Sequence, residues 1–201
     1  IQVARLAAEA GGALFLAESD GLSVGTVEVS VSRATADGGT TEVHDAALEG
    51  LAAGDGPLVL TASGDVVVES TADNRPALWV RGAGNAVIRT DSLGSIVLNG
   101  DVLVMSGSLT LLAAGSVTQS GSIATVRGSI DVEAVSGDVA MESAAATTTL
   151  GGSIRYRASG DVRVTAMRAG PGTVGLISIG GRVENTDSAP ATHLARRLGE
   201  Q

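Results

Sequence analysis

The chain has 201 residues, with 44% hydrophobic side chains but only three aromatics, Phe15, Trp79 and Tyr156. Such a composition excludes a thick core built on Phe, Tyr and Trp and calls for a narrow one of small aliphatics. The net charge of −9 argues against nucleic-acid binding, which needs basic stripes, and the absence of cysteine excludes disulfides and thiolate metal sites.

Residues 1–24 read as either strand or a short amphipathic helix, and residues 26–31 (TVEVSV) as an alternating strand followed by a turn at 37–39 (DGG). Residues 46–53 (AALEGLAA) read as a coil rung with helical bias. This first part is also the acidic one: residues 1–63 carry nine Asp or Glu against only Arg5 and Arg33. We expect residues 1–57 to form atypical rungs or a cap.

From residue 58 a repeat takes over. Gly, then Ser or Asp, then Val, Ile or Leu recurs at Gly64, Gly94, Gly100, Gly107, Gly115, Gly121, Gly128, Gly137, Gly152 and Gly160; Gly172-Thr173-Val174 and Gly181-Arg182-Val183 are variants. Glycines 94, 115, 137, 160 and 181 are 21, 22, 23 and 21 residues apart; glycines 107, 128, 152 and 172 are 21, 24 and 20 apart. After each glycine the second and fourth positions are apolar, as in Ile130/Val132, Ile154/Tyr156 and Val162/Val164, with polar residues between them. That is the period of a strand with one wet face. Three interleaved phases sharing one period predict an all-β, right-handed parallel β-helix with coils of about 21–23 residues over 58–184. The corner glycines are expected to supply positive φ and the adjacent Ser or Asp to bond nearby backbone. An antiparallel β-sandwich is the competing fold, but hairpins do not require a 21-residue coil period. Residues 185–201, with Pro190 and Arg196-Arg197, lose the repeat and read as a tail or linker.

The segments GSLTLLAAGSV (107–117) and ASGDVRV (158–164) resemble the repeats of filamentous-haemagglutinin-like adhesins, and the likeness spans about residues 58–184. The resemblance implies secretion to the bacterial surface or beyond, a rod-like β-helix, and roles in attachment, biofilm or cell-to-cell contact. Partners would be other copies of the chain, flanking repeats, or host and biofilm glycans. A carbohydrate-active β-helix enzyme (lyase or hydrolase) and a self-assembling fibre unit are the alternatives. Long loop insertions would favour the enzyme, and residues 58–184 contain none beyond a few residues.

Few residues carry chemistry. Asp138 and Asp161 occupy one corner position 23 residues apart and are expected to stack within about 5 Å. They form either a carboxylate pair for catalysis or calcium, or a corner cap interchangeable with Ser, which the Ser/Asp alternation favours. Arg155, Arg157 and Arg163 are expected to share an outward face around Tyr156, there to meet acidic glycans or a neighbouring molecule, or simply to balance nearby acids. The threonines 147–149 raise the idea of a water-ordering array. His44 and His193 lack companions at ligand spacing, and neither a phosphate loop nor a nucleophile elbow is present. No cofactor, metal site, catalytic residue or membrane-spanning segment is expected.

Overall fold

A computed structural model describes residues 1–73 and 75–187. It is built from strands of two to five residues. Three sheets, of eight, seven and seven strands, are parallel throughout, and the chain visits them in fixed rotation. Thus Val117–Gln119 lies in the first sheet, Ile123–Thr125 in the second, Ile130–Ala134 in the third, and Val139–Met141 returns to the first. A parallel β-helix results, as the repeat predicts. The register pairs Ala86 with Leu109, Leu109 with Ile130, Ile130 with Ile154, and Ile154 with Val174, steps of 23, 21, 24 and 20 residues.

Because side chains alternate along a strand, each strand sends two or three residues inward and parallel stacking lines them up in columns. One column of the third sheet is Leu58, Ala86, Leu109, Ile130 and Ile154, all no more than 2% exposed. Each fully buried Leu or Ile contributes roughly 1.5–3 kcal/mol, so the core is a stack of small increments. One aromatic side chain enters it: Tyr156 replaces Val132 and Leu111 in its column and is fully buried. Its hydroxyl donates to Gln119 Oε1 at 2.6 Å and lies 2.7 Å from Thr147 Oγ1. Gln119 Nε2 in turn donates to Thr147 Oγ1 and to the Gly121 carbonyl. One residue from each sheet therefore closes a polar network in the core. Desolvation, opposed by the Thr147 hydrogen bond, pushes the Tyr156 pKa well above the usual phenol value.

The repeat glycines are required for a reason other than positive φ, which among the described glycines occurs only at Gly38, Gly50 and Gly170. A Cβ on Gly107 would press into the carbonyl of Gly84, one on Gly128 into that of Gly107, and one on Gly152 into that of Gly128. Corners of successive coils approach too closely to admit a methyl group.

Residues 1–24 and 46–53 contain strands and no helix; stacking overrides the helical bias of their alanines. The chain leaves the coil after Leu22–Val24 and returns at Leu51–Ala53. Between them Thr26–Val27 pairs antiparallel with Leu48–Glu49, and Ser30–Ala34 with Thr40–His44. The turn at 37–39 closes this hairpin, with Gly38 at φ 85°. All five residues of Ser30–Ala34 are exposed. The hairpin is an arm carried by an otherwise continuous solenoid. A smaller excursion, at 69–77, lengthens the Leu58-to-Ala86 step to 28 residues, longer than the uniform coil expected there. Pro190, His193 and Arg196-Arg197 lie outside the described residues.

Candidate functional site

Asp138 and Asp161 stack at one corner, and the contacts there are those of a cap. The Ser95 amide donates to Asp65 Oδ1, the Ser116 amide to Ser95 Oγ, and the Asp138 amide to Ser116 Oγ. The Asp161 amide then donates to Asp138 Oδ1 at 2.7 Å, and the Arg182 amide to Asp161 Oδ1 at 3.0 Å. A parallel ladder runs along a second corner from Asn85 through Ser108, Ser129 and Ser153 to the Thr173 amide. Ser and Asp are interchangeable because each needs only one oxygen to accept the amide of the next coil. The second oxygens of Asp138 and Asp161 both face Arg163, at 3.8 Å for Asp138 and as a closer ion pair for Asp161. The hydrogen bond from the Arg182 amide holds Asp161 below the usual carboxylate pKa; desolvation opposes it, and the nearby charges of Arg163 and Arg182 add to the lowering.

The arginine set is divided by the fold. Arg155 and Arg157 point outward from Ile154–Ala158 in the third sheet, whereas Arg163 belongs to Val162–Val164 in the first. Tyr156 lies on neither surface: between two outward arginines, alternation turns it inward. Arg155 forks onto Asp131 at 2.8 and 3.0 Å and reaches Glu133 at 2.8 Å, and Arg157 pairs with Glu133 as well. These partners are register neighbours on the preceding strand, the placement in which opposite charges stabilise a sheet, here by about 0.2–1 kcal/mol per pair. Thr147 and Thr149 are fully buried, leaving Thr148 as the one outward member of the run, so these residues form no exposed threonine array. His44 Nδ1 shares a hydrogen bond with Ser30 Oγ across the arm. Among the described residues, no three His, Asp or Glu side chains cluster as a metal site, and no helix is long and apolar enough to cross a membrane.

A different place holds unsatisfied chemistry. Where the arm returns to the coil, a cavity of about 120 Å³ is lined by Glu9, Leu48, Glu49, Arg75, Trp79 and Arg81, among others. Trp79 stands in the outward column of the second sheet, in register with Ala52 and Glu9. Arg81 lies over its ring, 4.5 Å from the centroid, and pairs with Glu9 at 2.7 Å. The Glu49 side chain is only 10% exposed, and its nearest cation, Arg75 Nη2, is 3.8 Å from Oε2, beyond hydrogen-bonding distance. Both Glu49 Oε2 and Trp79 Nε1 are buried without a hydrogen-bond partner. Sequence reading does not single out this cavity, since its walls come from the arm, the 69–77 excursion and three successive coils. The signals for it were a lone tryptophan at an outward strand position and the 30-residue gap between Gly64 and Gly94.

Fold and surface together define the class, a parallel β-helix with one hairpin arm. Comparison with protein-family models, with curated proteins and with solved structures finds no match to this chain.

Proposed function

We propose that this chain is a structural, adhesive segment of a larger secreted or cell-surface bacterial protein, a β-helical rod acting in attachment or self-association. The observation that carries the reading is the self-sufficiency of the regular coils. Their corner amides are capped by the preceding coil, and the outward Arg155 and Arg157 are neutralised by acids one strand away. A surface finished in this way suits a scaffold that spaces a recognition element from its anchor, and the arm supplies such an element. The described end strands support a role beside flanking repeats or further copies: Val174 and Val183, in inward columns, are 43% and 46% exposed. The reading includes the right-handed sense that parallel strands joined by crossovers almost always take. It also includes host or biofilm glycans as partners.

The test is attachment. Beads coated with the chain should be retained on epithelial or biofilm-covered surfaces, or cluster with one another, more than albumin-coated beads. Absence of both, together with release of new reducing ends from soluble polysaccharides, would replace this reading with that of a carbohydrate-active enzyme.

A further inference from the structure

We infer that the cavity at the root of the arm is a carbohydrate subsite that takes one neutral, hydroxyl-bearing sugar ring. The inference deepens the adhesive reading above and rests on it. Two residues of its lining each hold a buried polar atom with no partner: a carboxylate oxygen of Glu49, which can only accept, and the indole N–H of Trp79, which can only donate. Leaving such a group buried and unpaired costs about 1–3 kcal/mol, a cost that a bound partner removes.

The pair restricts the partner. A carboxylate or a phosphate diester accepts from Trp79 but has nothing to give Glu49. An ammonium or guanidinium donates to Glu49 but takes nothing from Trp79. A hydroxyl does both, and adjacent hydroxyls on one ring can divide the task. Charge points the same way, because Glu9 is matched by Arg81 and Glu49 by Arg75, so the lining has no net charge to select an ion. Arg75, whose nearest acids stand at 3.8 and 3.9 Å, keeps guanidinium donors for further hydroxyls. Leu48 and the indole ring supply the apolar surface on which the C–H face of a pyranose rests. A peptide amide also donates and accepts, but its N–H and C=O are fixed in opposite directions, whereas a hydroxyl rotates to suit.

Trp79 is the only tryptophan, so its fluorescence reports on this cavity alone. The experiment titrates the whole chain with methyl glucoside, methyl galactoside and N-acetylglucosamine, with N-acetylglycinamide as the peptide probe. At least one sugar should change the Trp79 emission saturably. Glu49→Gln should weaken that binding about tenfold or more while circular dichroism stays native, and Arg155→Gln, on another sheet, should leave it unchanged. No saturable response to any sugar, an equal response in Glu49→Gln, or saturation by N-acetylglycinamide alone overturns the subsite. If beads still attach to cells while the sugars fail, the subsite falls and the adhesive reading stands; failure of both removes both.

Discussion

The coils from Ala86 to Ser178 and the interrupted stretch before them follow one folding principle with different degrees of completion. In the regular coils every strand from Ala86–Thr90 to Val162–Val164 has a neighbour above and below, corner amides reach a Ser, Asp or Asn oxygen, and even the buried Gln119, Thr147 and Tyr156 satisfy one another. In the earlier stretch the arm and the 69–77 excursion break the period. Among the described residues, the buried side-chain atoms left without partners, Glu18 Oε2, Glu49 Oε2 and Trp79 Nε1, all lie in this stretch. A repeat reuses one solution for its polar groups at each turn. An interruption places residues where no neighbouring coil repeats the solution, and that is where a ligand has something to complete.

The contrast can be broken most severely from inside the regular coils. Tyr156→Ala should cost about 3–5 kcal/mol, since it opens a cavity and strands Gln119 and Thr147; urea unfolding followed by circular dichroism measures it. A loss below about 1 kcal/mol would mean that the network is not closed. Gly128→Ala comes next, at about 1–3 kcal/mol, because the added methyl group meets the Gly107 carbonyl. The same denaturation experiment reads it, and an unchanged midpoint would show that the corners are looser than described.

A smaller effect follows from Asp161. Its folded-state pKa is depressed, so its contribution to stability is fully present above the ordinary Asp value of about 3.9 and is lost as pH falls through the lower folded value. Asp161→Ser keeps an acceptor for the Arg182 amide but removes the titrating group. The variant should therefore show a flatter dependence of melting temperature on pH in that acidic window. The smallest expected effect sharpens the contrast from its other side. Glu49→Gln replaces a buried carboxylate without a hydrogen bond at Oε2 by a neutral amide and should leave stability unchanged or raise it by up to about 1 kcal/mol, against the large cost of Tyr156→Ala.

Much of this fold is legible in the sequence because a solenoid writes its period into the chain. Glycine spacing gives the coil length, and the second and fourth apolar positions give the inward face. The same alternation already places Tyr156 beside Ile154 on that face. Grouping it with Arg155 and Arg157 on the surface follows adjacency in sequence, which a strand inverts at every residue. Arg163 is misplaced for a related reason: five residues beyond Ala158 the chain has turned a corner into another sheet. The capping role of Asp138 and Asp161 is readable, because Ser in the same slot has only a hydrogen-bonding oxygen in common with Asp. The glycine requirement is not, since it arises from the distance between successive corners. The arm shows itself as an alternating strand and a turn, but its departure from the solenoid depends on pairing with residues 40–44 and 48–49. The cavity is least legible, as Glu49 and Trp79 meet only after one coil and the excursion have closed between them.

Hydrogen exchange of the intact chain, resolved by residue, compares the two regions most directly. Amides in Leu109–Ala113, Ile130–Ala134 and Ile154–Ala158, stacked on both sides, should exchange slowly, and those of Ser30–Ala34 and Thr40–His44 in the exposed arm much faster. Equal protection in arm and coils, or fast exchange at Ile130–Ala134, would contradict a self-satisfied solenoid carrying one unfinished element.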